Sequence, residues 1–155
     1  MTPIQILYEM MFEDARRKHP EVPEYAIPKV TYKVKTANGL TKAIIKWIEL
    51  NGGQAERINT MGRRIDTRKD YGTATGFRQQ VGSVKWVPGT GTRGSADISS
   101  VINGKSVKIE VKVGKDRQSS AQKDYQAKIE KAGGVYVIAR TFDGFYEWYK
   151  GFTQG

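Results

Sequence analysis

Cysteine is absent from this chain of 155 residues. No disulfide can form and no thiolate can hold a metal, and a cytoplasmic setting is the expectation that follows. Histidine is nearly absent: His19, in "RRKHPEVPE", is the single one. It stands where a helix is expected to end, a place that favours cations. One imidazole excludes Ser-His-Asp, Cys-His and multi-histidine zinc sites, so any catalysis must come from carboxylates, lysines or hydroxyls. Also lacking is any run near the roughly 18 apolar residues of a membrane-spanning helix. The opening "MTPIQILYEMMFEDARRKHP" has no basic segment ahead of an apolar stretch, so neither a secretory signal nor a membrane partner is expected.

Acids are the minority charge. Sixteen Asp and Glu face 26 Lys and Arg, for a net charge of +10. Such a surface calls for an acidic partner, most often nucleic acid. Hydrophobic residues make up 38% of the chain and aromatic ones 10%, which suits a globular protein with one well-formed core.

Periodicity predicts an amphipathic helix over 3–18, with Ile6, Met10 and Ala15 near its apolar face. Pro20, Pro23 and Pro28 then break the pattern, so 1–35 reads as a helical extension with a Pro-rich connector, ahead of a domain over 36–155. A second helix is expected over about 39–50, with Leu40, Ile44, Trp47 and Ile48 on one face and Gly52-Gly53 as its stop. "QAERIN" reads as a short strand, residues 61–83 as a long loop or open β-ribbon, and "VKWV" as a strand. "SAQKDYQAKIEKAGG" predicts a helix with Ala121, Tyr125, Ile129 and Ala132 at core spacing. "VYVIAR" is a strand whose continuous apolar run predicts burial on both faces, and "GFYEWYKGF" closes the chain as a helix or strand. There Tyr146, Trp148 and Tyr149 are candidates to cover a sheet edge or to form a self-association surface. The order of elements predicts an α/β fold with a mixed sheet.

The stretch "GSADISSVINGKSVKIEVK", residues 94–112, holds two strand-like runs around Asn103-Gly104, the pair that tolerates the positive φ of a two-residue hairpin turn. If those two residues form the loop, Ile102 pairs with Lys105 and Asp97 comes to face Glu110. Ile98, Ser100 and Ile102 then share a mostly apolar face with Val107, Ile109 and Val111. Asp97, Glu110 and Lys112 share the polar one. Opposed carboxylates lie with Cβ atoms about 5 Å apart and repel unless a cation stands between them. Mg²⁺, which takes hard oxygen ligands from one or two carboxylates and a substrate phosphate, is the natural candidate. Lys112 on the same face can orient an attacking water or stabilise phosphoryl charge. The plainer alternative is a solvated face, with both acids in ordinary ion pairs to Lys108 and Lys112.

These residues resemble a known family. "GTRGSADI", "IEVK" and "QSSAQKDYQAKIEKAGGVYVIAR", together with "AIIKWIELNGGQAERINTMG", are similar to the VRR-NUC branch of the PD-(D/E)XK nucleases over roughly 37–142. The resemblance implies a restriction-endonuclease-like mixed sheet flanked by helices. It also implies Mg²⁺ or Mn²⁺ held by Asp97 and Glu110 with the Val111 backbone carbonyl, Lys112 as the catalytic lysine, and Gln122 beside the site. A glutamate that many relatives carry early in the first helix has no counterpart, Ala37 standing nearest. The function implied is metal-dependent DNA cleavage, with a homodimer acting on branched DNA such as four-way junctions in a prokaryotic or phage-infected cell. The alternatives are a nuclease of duplex or flap DNA and a non-catalytic DNA-binding protein. No small-molecule substrate is expected. Gln122 has a second reading from the residues themselves, as the N3 member of a capping box begun by Ser119.

Arg57, Arg63, Arg64, Arg68, Lys69, Arg78, Lys85 and Arg93 stand against only Asp66 and Asp70 in the stretch from 57 to 93, a composition suited to contacting DNA phosphates. Tyr71 and Phe77 there either stack on exposed bases or anchor the loop. "GTGTRG", residues 89–94, has glycine spacing like a dinucleotide fingerprint. It opens a hairpin rather than a helix, so that reading is rejected.

Overall fold

The computed structural model describes every residue except Thr60 and Thr90. In chain order the elements are α1 (Pro3–Lys18), α2 (Ala37–Leu50), β1 (Gln54–Arg57), β2 (Arg63–Asp66), β3 (Lys69–Gly72), β4 (Arg78–Val81), β5 (Val84–Val87), β6 (Ile98–Ile102), β7 (Lys105–Val111), α3 (Ser120–Lys131), β8 (Val135–Ala139) and α4 (Phe142–Gln154). They form two compact units, Met1–Ile58 with Gly94–Gly155 in one and Asn59–Arg93 in the other.

The first unit is built on a four-stranded sheet in the order β1-β6-β7-β8. β1, β6 and β7 run antiparallel to their neighbours and β8 runs parallel to β7, so the sheet is mixed and the fold is α/β with helices flanking it. One face meets α1, α2 and α4. Ile98, Ile102, Val107, Ile109 and Val111 from the strands are buried there against Leu40, Ala43, Ile44, Trp47 and Ile48 of α2 and Phe142, Phe145 and Tyr149 of α4. The α2 face is the expected one with Ala43 added. Thr36 caps this helix, its hydroxyl accepting from the Gly39 N–H at 3.1 Å. Trp47 makes edge-on contacts with Phe142, Tyr146 and Tyr149 at centroid separations of 6.1, 5.0 and 6.0 Å, so it belongs to the core, as does Tyr149. Trp148 and Tyr146 pack against the same cluster.

In α1, Ile6 and Met10 pack against the core as expected, and Leu7, which the sequence reading did not single out, is the residue buried most deeply at 0% exposed. Two expectations need correction. β8 is the last strand of the sheet, and Ile138 remains exposed, so its apolar run is not buried on both faces. α3 has no fully buried residue: Ala121, Tyr125 and Ile129 are half-buried and Ala132 is exposed, because this helix lies alone over the second face of the sheet.

The second unit is a two-stranded antiparallel ribbon, as the open β-ribbon reading expected. β2 pairs with β5 and β3 with β4, and the Thr67 N–H to the Ser83 carbonyl carries the register through between them. The glycine-rich stretch 89–94 includes Thr90, which lies outside the described residues. Among the described residues no helix is long and apolar enough to cross a membrane.

Leu7→Ala is expected to lower the free energy of unfolding by about 3 kcal/mol, because it opens a cavity in a shared core. The midpoint of urea unfolding measures it. A change of only a few tenths would show that α1 rides on the surface of the unit.

Candidate active site

The site is set by the turn. Asn103 has φ of 49° and Gly104 φ of 75°, and the pairing runs Ile102 to Lys105, Ser100 to Val107 and Ile98 to Ile109. This is the expected register, and it turns Lys108, Glu110 and Lys112 away from the aliphatic core, towards the face that α3 covers. The ladder stops one pair short of Asp97 and Glu110. Asp97 lies just before β6, its carbonyl accepting from the Ile58 N–H at 2.8 Å, while its carboxylate Oδ2 accepts from the Val111 N–H at 2.8 Å. The Asp97 side chain therefore replaces a rung of the ladder, which pins a carboxylate beside the end of β7.

Glu110 is only 2% exposed and Lys112 7%, so their face is not solvated, although the ion pair to Lys112 in that alternative does form. Lys112 Nζ lies 3.0 Å from Glu110 Oε1 and 3.4 Å from Asp116 Oδ2. Lys108, offered above as a surface partner for the acids, donates instead to the Ser99 hydroxyl at 2.5 Å. Gln122 closes the expected capping box and also reaches Glu110. Its Oε1 accepts from the Ser119 N–H at 2.9 Å to close the capping box, and its Nε2 donates to Glu110 Oε1 at 2.5 Å.

Burial pushes the Glu110 carboxyl above its ordinary range, the Asp97 charge adds to this, and Lys112 pulls the other way. For Lys112, burial works against the ammonium, but the hydrogen bond and charge of Glu110, with Asp116, outweigh it and raise its pKa. Tyr136 on β8 is pushed up to about 12, chiefly by burial and further by the nearby Glu110 and Asp97 charges, against a hydrogen bond from Gln118. Tyr136 stacks edge-on with Tyr125 of α3 at 6.3 Å and closes this side of the site.

Gly94 has φ of +78°, and a Cβ there would strike the Ala121 carbonyl. The chain leading to Asp97 thus passes directly under the start of α3, which is what brings Gln122 within reach of Glu110. In the same lead-in, the Ser95 hydroxyl is buried without a hydrogen-bond partner among the described residues.

A divalent cation fits this donor set on one observation above the others: Glu110 Oε2 is buried and has no hydrogen-bond partner among the described residues, beside a second carboxylate. Both are hard oxygen ligands. No three His, Asp or Glu side chains gather here or elsewhere among the described residues, so a cation would draw its remaining ligands from backbone, water or substrate. Val111, whose carbonyl is the expected third ligand, closes β7 with its side chain in the core and its N–H on Asp97.

Asp97, Glu110, Val111, Lys112 and Gln122 are therefore brought together. Arg57 sits on β1, donating to Asn38 Oδ1 at 2.6 Å. Arg63, Arg64, Arg68, Lys69, Arg78, Lys85 and Arg93 belong to the ribbon unit. There Arg64 and Arg68 share Asp66 at 3.4 and 2.7 Å. Asp116 and Tyr136 went unread in the sequence. Asp116 follows Lys112 by four residues in a turn, and Tyr136 reaches the site only through the parallel pairing of β8 with β7, which no local pattern announces.

In metal-free buffer, Lys112→Met is expected to cost about 3 kcal/mol, since it leaves a buried carboxylate without its counter-charge. Glu110→Gln, which removes the charge that burial opposes, is expected to cost much less. Thermal or urea unfolding of the two variants decides it, and the reverse order would mean that the pair is effectively hydrated. No protein-family model matches this chain, and no curated protein matches it in sequence, so what the site does is argued from its own chemistry.

Proposed function

We propose that this chain is a metal-dependent DNA endonuclease with a restriction-endonuclease-like fold, of the VRR-NUC type among the PD-(D/E)XK nucleases. The observation that carries the reading is Glu110: a carboxylate withdrawn from water, one oxygen held by Lys112 and Gln122, and the other buried without a partner among the described residues. A fold that needed only stability would do as well with an apolar side chain there, because burying a lone carboxylate is costly. The acid, then Glu-x-Lys at the end of a central strand of a mixed sheet, is also the arrangement that the resemblance implies.

Mg²⁺ or Mn²⁺ bound at Asp97 and Glu110 would supply Lewis-acid polarisation of a phosphodiester and an activated water. The chain's own groups have separable tasks. Asp97 is held by the Val111 amide and Glu110 by Gln122, which restrains both carboxylates. Lys112 presents an ammonium between Glu110 and Asp116, placed to hold a water or to offset charge developing on phosphoryl oxygens. The basic surplus supplies attraction for the phosphate backbone. Four-way junctions are the preferred substrate in this reading. A homodimer would match the symmetry of a junction with paired sites.

The test is a cleavage assay with Mg²⁺ or Mn²⁺ on a four-way junction, a flap and a plain duplex, comparing wild type with Glu110→Ala. A melting experiment with and without Mn²⁺ accompanies it. Paired cuts on the junction and a rise in Tm with Mn²⁺, both lost in the variant, are the expected result. Equal cutting of all three substrates would remove the junction preference. Intact substrates and an unchanged Tm would leave a DNA-binding protein without nuclease chemistry.

A further inference from the structure

The ribbon has a chemistry that phosphate attraction alone does not account for. Most of the large hydrophobic side chains that remain exposed lie in this unit, among them Met61, Tyr71, Phe77, Val81 and Trp86. Phe77 is 74% exposed and Tyr71 53%, so neither anchors the ribbon. Side chains alternate between faces along a strand. Lys69 pairs with Val81 and Tyr71 with Gln79, and the Thr73 N–H to the Phe77 carbonyl at 2.8 Å extends the same ladder by one more pair. Lys69, Tyr71, Phe77, Gln79 and Val81 therefore share one face of the outer half. The other face carries Asp70, Arg78 and Gln80, with Asp70 already accepting from Gln80 Nε2 at 3.0 Å.

We propose that this face of the ribbon, Tyr71 and Phe77 with Lys69 beside them, is a stacking platform for unpaired bases of a nucleic acid. The proposal does not depend on the nuclease reading. Aromatic side chains set among cations are the means by which single strands are held without sequence preference: rings stack on exposed bases while the cations follow the phosphates. Duplex bases offer no such face. A wedge driven between base pairs would need a large apolar residue at the extremity. The turn here is Ala74-Thr75-Gly76, with the rings on the flank behind it.

Charge selects the same occupant over a second copy of the chain. Seven cations stand against two acids in this unit, and both acids are already engaged, Asp66 by Arg64 and Arg68 and Asp70 by Gln80. Two such ribbons packed together would concentrate like charge, whereas a polyanion neutralises it.

The experiment uses the full chain in EDTA, so that no cleavage intervenes, and follows the anisotropy of a fluorescein-labelled oligothymidine and of a duplex of the same length. Tyr71→Ala and Phe77→Ala are each expected to weaken oligothymidine binding on the order of tenfold and duplex binding far less. Phe77→Trp is expected to retain it. Circular dichroism checks that folding is unchanged, as the exposure of both rings implies. Equal losses on the two ligands, or no loss on the single strand, would overturn the proposal. So would a wild-type dimer in sedimentation that the double alanine variant dissociates, since the face would then belong to a second copy. Loss of cleavage in Glu110→Ala leaves these binding results untouched, so the two readings fail separately.

Discussion

A two-residue turn at Asn103-Gly104 governs the compact unit. Because successive strand residues point to opposite faces, a slip of β7 by one position would carry Val107 and Ile109 out of the core and Glu110 into it. The positive φ values at both turn positions match the twist of the flanking strands, which is why this loop length holds one register. The aliphatic face then meets α1, α2 and α4, and the polar face is left to α3 alone. Core and site are thus consequences of one choice: the same alternation that buries Ile109 delivers Glu110 to the opposite side.

That side carries the energetic tension of the fold. A carboxylate removed from water costs several kcal/mol unless its charge is met, and here Lys112 and Gln122 meet one oxygen while the other has no partner among the described residues. Asp97 adds repulsion rather than relief. Lys112 is drawn to both Glu110 and Asp116, so a single ammonium is shared between two acids.

Much of this was legible in the sequence because the signals were local. The hairpin register followed from one dipeptide and an alternation, and the α2 face from Leu40, Ile44, Trp47 and Ile48 at helical spacing. The ribbon showed itself as a stretch without hydrophobic periodicity. Tertiary facts were harder. "VYVIA" looks like a strand buried on both faces, yet its position at the sheet edge depends on the crossover through α3, which leaves Ile138 in solvent. Leu7 sits in a helix with several apolar residues, and which of them faces inward is settled by where α2 and α4 lie. The depth of Glu110 was invisible too, since strand alternation puts it on a polar face and only α3, brought close over Gly94, withdraws it from water.

Gln122 separates a structural demand from a chemical one. As N3 of a capping box, the position accepts Glu as readily as Gln, and a carboxylate would add a favourable charge at the start of a helix. Helix formation by itself therefore gives no reason to prefer the amide. The neighbour does: Gln122 reaches Glu110 with an N–H, and Gln122→Glu would set a third acid against a carboxylate already raised by burial and by Asp97. An amide is the side chain that can accept from the Ser119 backbone with one end and donate to a buried carboxylate with the other. The N3 residue of α3 thus suits the charge beneath it, and it ties the first turn of that helix to Glu110 through a single hydrogen bond.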